Sequence, residues 1–170
     1  MSTHIPIKYL PKRLSFRDRK RQLRQLKRSR NAYKKHIYIT RKKVKSYKSK
    51  KSKHILKAEK IYKLANLSIN ANLSINANLS RKTGCSITSL RKIVKKGQGA
   101  YYSSGSRPNQ TAHSWGLARL ASSISGGKAA AVDYGILKSG CSHNSKALKL
   151  ANQAKKKHGL GTRKVPKTIL

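Results

Sequence analysis

Acidic residues are almost missing from this chain. Only Asp18, Glu59 and Asp133 carry carboxylates among its 170 residues. Chemistry that needs a carboxylate pair has no dyad to draw on when three acids lie this far apart. Ser103, Ser104 or Ser106 could be set on paper beside His113 and Asp133, but no nucleophile-elbow text surrounds them. Cysteine is equally sparse. Cys85 and Cys141 have no Cys-x-x-Cys partners and the six histidines form no ligand-spaced cluster, so the sequence argues against a metal centre. Both cysteines read as reduced, buried thiols, and a disulfide between them would require an oxidising assembly step. No run of about 18 apolar residues is present, so no membrane span is expected. The first residues lack a charged-then-apolar leader pattern, which points to intracellular synthesis. Phosphate-loop and dinucleotide fingerprints are missing as well. The expectation is a protein that is not an enzyme, takes no cofactor and has no small-molecule substrate.

Positive charge is what the chain has in excess. Forty-two Lys and Arg leave a formal net charge of +39. A potential of that size draws polyanions, and each phosphate neutralised releases counterions, so binding should weaken steeply with salt. The partner classes that follow are DNA, RNA and carboxylate-rich protein. Charge divides the chain into zones: residues 1–64 hold 24 of the basic side chains, residues 65–80 none, and residues 81–170 the other 18. That pattern predicts a basic arm or strap (1–64), an uncharged repeat linker (65–80), a small helical domain (81–158) and a basic tail (159–170).

Within the arm, Ser15-Phe16-Arg17-Asp18 resembles a helix-opening capping box and predicts a helix over about 16–36. Its apolar residues Phe16, Leu23, Leu26 and Tyr33 recur at spacings of 7, 3 and 7, a narrow seam for packing. Arg17, Lys20, Arg21, Arg24, Lys27 and Arg28 cover the remainder as candidate anion-binding groups. From Tyr38 to Leu64 the text becomes Lys- and Ser-rich. Arg41, Lys42, Lys43, Lys50 and Lys51 supply charge there, and Tyr38, Tyr47 and Tyr62 are set among them. Tyrosines in such a strap suit either base stacking or anchoring on protein. A short helix is expected near 54–64.

Residues 65–80 repeat Ala-Asn-Leu-Ser-Ile-Asn with a period of six, and their apolar/polar alternation favours a strand or surface ribbon. Beyond them, Ser86 is a candidate cap for a helix carrying Leu90, Ile93 and Val94 and stopped at Gly97. Further helices are expected over 112–125, 128–138 and 145–157, with Trp115 as an apolar anchor in the first of them. The fold class is therefore mainly α, an extended basic N-terminal arm with one long helix joined to a small C-terminal helical domain. The Ser/Gly-rich segment Gly99–Thr111, with Arg107, reads either as a self-satisfied loop or as an anion nest.

That segment, continued by Ala112-His113-Ser114-Trp115-Gly116-Leu117-Ala118-Arg119 and by Gly126-Gly127-Lys128-Ala129, resembles an uncharacterised domain family of large double-stranded DNA viruses and some phages. Tyr9-Leu10-Pro11 and the Lys/Ser text at 45–52 look like its chlorella-virus-like and mimivirus-like members. The resemblance implies a viral source and a place in the virion after synthesis in host cytoplasm. Combined with the charge, it leads to the expectation of a minor capsid-associated protein of a large icosahedral DNA virus, whose arm bridges acidic capsid proteins or shell and genome. The alternative is a non-specific DNA-binding protein that condenses the genome.

Overall fold

The computed structural model describes residues 5–64, 75–159 and 167–168. The described chain is mainly helical: α1 (Phe16–Tyr33), α2 (Lys53–Tyr62), α3 (Ala77–Thr83), α4 (Ile87–Ser103), α5 (Ala112–Ile124), α6 (Lys128–Val132), α7 (Tyr134–Gly140) and α8 (Lys146–His158). Short polar side chains start six of these helices, α6 and α7 excepted, by accepting orphan amide hydrogens. Ser15 accepts from the Asp18 amide, Ser52 from His54, Asn76 from Leu79 and Ser145 from Leu148. Ser86 takes the Ser89 amide at 3.2 Å. At α5 the capping is reciprocal, with the Ser114 amide on Thr111 Oγ1 and the Thr111 amide on Ser114 Oγ, both at 3.0 Å.

Contacts divide the described residues into two units, each with its own core, and the division does not follow the charge zones. The first unit comprises 5–50, 98–115 and 167–168, and the second 51–64, 75–97 and 116–159. In the first, Ile5, Tyr9, Leu10, Leu14, Leu26, Val44 and Tyr47 form one apolar cluster. The expected strap therefore has a core of its own, and residues assigned to the C-terminal domain complete it. Gly105, at φ 106°, illustrates the closeness: a Cβ there would stand 2.7 Å from Leu26 Cδ2. Asn109 clamps the segment after Arg41, accepting from the Val44 amide and donating to the Val44 and Tyr47 carbonyls. A two-residue strand, β1 (Ile5–Pro6), pairs antiparallel with β2 (Lys167–Thr168).

In the second unit, α2 joins the core through Ile55, Ala58 and Tyr62, so the end of the expected arm is part of this fold. The Tyr62 hydroxyl donates to the Ile124 carbonyl, and burial pushes its pKa above the ordinary tyrosine value. Leu90, Ile93 and Val94 of α4 meet Leu117, Leu120, Ala121 and Ile124 of α5, and α6 and α7 pack on α8. Gly97 does not stop α4. A Cβ at Gly97 would lie 2.6 Å from the Gly116 Cα, so this glycine permits two helices to approach closely while the helix runs on to Ser103. The helix expected over 128–138 is split at Asp133.

Of the repeat, residues 65–74 lie outside the described residues. Its last copy is helical rather than extended, because Asn76 caps it, Leu79 and Thr83 turn inward, and Gly84 ends it in the left-handed conformation. Of the tail, residues 160–166 and 169–170 also lie outside the described residues. The cysteines are not free thiols: Cys85 and Cys141 form a disulfide. Backbone pairing on either side brings them together, with the Ser86 amide on the Gly140 carbonyl and the Ser142 amide on the Gly84 carbonyl. Among the described residues, no helix is long and apolar enough to cross a membrane.

Candidate anion-binding surface

The inward stripe of α1 is Asp18, Gln22, Leu26 and Ser29, at spacings of 4, 4 and 3. Three of the four are polar, and each has a partner: Asp18 accepts from the Ser46 amide at 2.7 Å, Gln22 donates to the Tyr9 carbonyl, and Ser29 donates to the Tyr102 carbonyl. That stripe fixes the opposite face. Arg17, Lys20, Arg21, Arg24, Lys27 and Arg28 are all exposed, and at about 3.6 residues per turn they share roughly a third of the helix circumference. The helix thus brings together six of the expected cations.

The expected apolar seam is only partly realised. Leu26 is wholly buried, Leu23 packs partly on the same core, and Tyr33 is half-buried. Phe16 is 82% exposed, because the register that buries Leu26 and Asp18 turns the first residue of the helix outward. Trp115 stands edge-on to Tyr9, ring centroids 5.8 Å apart.

Arg41 departs most from its expected role. It is 8% exposed, and its guanidinium donates to Ser29 Oγ (3.0 Å), the Tyr101 carbonyl (2.9 Å) and Ser106 Oγ (2.8 Å) while lying 3.7 Å over the Tyr101 ring. Arg30 donates twice to the Ser104 carbonyl, at 3.1 and 2.7 Å. Both arginines therefore sit at the C-terminal end of α4, where unpaired carbonyls carry the negative end of the helix dipole. Burial lowers the pKa of each, but a guanidinium stays charged at any ordinary pH. Arg41 is a structural cation whose counter-charge is a helix terminus. Nothing in the Arg41-Lys42-Lys43 run marks the first of the three as the one that folds inward.

Lys42, Lys43 and Lys50 are exposed, whereas Lys51 is ion-paired with Glu59 at 2.7 Å. In the Gly99–Thr111 segment the first residues belong to α4 and the remainder is bonded largely to residues 30–47: Arg30 donates to the Ser104 carbonyl, Asn109 bonds Val44 and Tyr47, and Ser106 accepts from Arg41 and donates to the Arg107 carbonyl, leaving the Arg107 side chain exposed.

All three carboxylates are thus taken up within the protein. Asp133, 1% exposed, receives a bidentate pair from Arg119 at 2.9 and 2.7 Å, Lys96 at 3.0 Å and Ser123 Oγ at 3.0 Å. Burial alone would raise its pKa; the Arg119 bonds and charge, with Lys96, outweigh burial and hold it below the usual carboxylate range. Asp18 is likewise held low, first by the Ser46 amide and then by the Ser46 side chain. Among the described residues, the carboxylate ion pairs use only Lys51, Lys96 and Arg119. On α1 the buried Asp18 is the one carboxylate, and its charge acts on Arg17 and Arg21 without forming an ion pair with either, so six cations face solvent against a single inward acid.

Residues 6–147, which take in most of both units, match the model of a family of unknown function, DUF5824. The chain belongs to that family. Membership assigns no chemistry to the surface, so the α1 cations stand on geometry alone. No curated protein and no solved structure matches the chain.

Proposed function

We propose that this protein is a structural component of a large DNA virus particle, in which its exposed cations bridge acidic capsid proteins or shell and genome. The observation that carries the reading is the internal use of every carboxylate beside a six-cation face on α1. A chain of this charge needs external counter-charge, and an assembly supplies it. The viral setting rests on the resemblance carried by Gly99–Arg119. In this reading α1 supplies the binding face, carried on the folded first unit and not on a free strap. The test is incorporation: replacing Arg17, Lys20, Arg21, Arg24, Lys27 and Arg28 together by Gln should keep the chain folded and exclude it from purified particles. Normal incorporation would sink the proposal.

A second reading, a DNA-condensing protein packaged with the genome, is favoured by aromatic rings exposed among the cations, Phe16 and Tyr38. It expects sequence-independent DNA affinity and fractionation of the chain with the viral nucleoid instead of the shell.

A further inference from the structure

The end of α1 returns the chain on itself. His36 adopts a left-handed conformation at φ 58°, and the Ile37 amide donates back to the Ala32 carbonyl at 3.0 Å, a Schellman-type ending in which a histidine holds the place glycine usually takes. This reversal sets Tyr38 in T-shaped contact with Tyr33, with centroids 6.0 Å apart, and with Tyr102 at 5.2 Å. Tyr102 in turn meets Tyr101 at 5.0 Å, and Tyr101, wholly buried, lies under the Arg41 guanidinium. The row of rings is anchored in the core at Tyr101. Tyr38, third in the row between Tyr102 and Tyr33, is 61% exposed. Lys34 and Lys35, on the same turn, are exposed, and the only carboxylate in this unit's sequence is the buried Asp18.

We propose that Tyr38, positioned by Tyr33 and Tyr102, is a stacking site for unpaired bases of single-stranded nucleic acid. This rests on the polyanion-binding reading above and names one partner for it. Cations alone are enough to hold an acidic peptide or a duplex backbone; an exposed ring already held by two ring contacts adds aromatic surface that a base can cover at little further cost in side-chain freedom. Lys34 and Lys35, exposed within four residues of Tyr38, supply positive charge for the phosphates flanking a stacked base.

The full chain tests this, with Tyr38→Ala, Tyr38→Phe and Tyr38→Trp compared with wild type on a dT oligonucleotide, a duplex of equal length and polyglutamate. Stacking contributes about 1–3 kcal/mol per base, so Tyr38→Ala should weaken oligo-dT binding about tenfold. The salt slope should not change, the Phe and Trp variants should bind as wild type, and duplex and polyglutamate affinities should not move. Undiminished oligo-dT binding by the Ala variant would overturn the proposal, as would an equal loss on the duplex. An equal loss on polyglutamate would overturn it too, making the ring a protein anchor. If wild type binds none of the three in a salt-dependent way, the underlying polyanion reading fails with it.

Discussion

Replacing Arg41 by Met removes a buried cation whose hydrogen-bond partners are neutral. The guanidinium contributes three hydrogen bonds and one ring contact. Ser29 keeps its bond to the Tyr102 carbonyl and Ser106 its bond to the Arg107 carbonyl, so the group left in want of a donor is the Tyr101 carbonyl. An orphaned buried acceptor costs about 1–3 kcal/mol and a desolvated cation over a ring about 2 kcal/mol. Against these stands the relief of part of the desolvation penalty of the charge. The balance is a loss of about 3 kcal/mol for Arg41→Met. Arg41→Lys should fall between, since an ammonium keeps the charge but cannot span Ser29, Tyr101 and Ser106 from one plane. Urea unfolding followed by circular dichroism reads the difference as a shift in midpoint at constant slope. The same variant should leave the salt dependence of polyanion binding unchanged, because this guanidinium faces inward. Wild-type stability together with weakened binding would refute the reasoning and return Arg41 to the surface role its position in a basic run suggests.

Reduction of Cys85–Cys141 opens a loop spanning 56 residues of sequence separation, and chain entropy puts its contribution at about 4 kcal/mol, so melting with and without reductant should differ by many degrees; coincident melts would contradict it. The Asp133 carboxyl is held below its unfolded value of 3.8, so its stabilisation is fully present above that pH and is lost as pH falls through the folded value. Asp133→Asn should cost about 1–3 kcal/mol at neutral pH, through lost charge-assisted hydrogen bonds to Arg119 and the half-exposed Lys96, and should flatten the acid limb of a stability–pH profile. Gly97→Ala should destabilise by about 1–3 kcal/mol through overpacking against the Gly116 backbone, the reverse of the gain that alanine gives in an open helix.

Much of the helical content was legible because local chemistry dictates it. Ser15, Ser86 and Ser145 mark helix starts by the same amide-capping chemistry that the structure shows. Tertiary placement was not legible. The inward face of α1 is mostly polar, so an apolar pattern chose Phe16 where the fold chose Asp18, Gln22 and Ser29. The first core draws on residues more than sixty positions apart, such as Val44 with Asn109, and charge zoning cannot register such a return of the chain. Gly97 reads as a stop because glycine commonly ends helices, and only the facing Gly116 shows that it permits close approach. Of the candidate surface, six cations on one helix followed from spacing alone, whereas the burial of Arg41 and the ion pair of Lys51 depend on partners that adjacent sequence does not name.

The central claim is that the exposed cations of α1 bind an external polyanion. The most direct measurement is the affinity of the full chain for duplex DNA across a salt series, compared with the variant in which Arg17, Lys20, Arg21, Arg24, Lys27 and Arg28 are all Gln. Each phosphate contact adds about 0.9 to the slope of log K against log salt, so the variant should show a slope shallower by up to about five with its unfolding midpoint unchanged. Equal slopes for the two proteins would contradict the account.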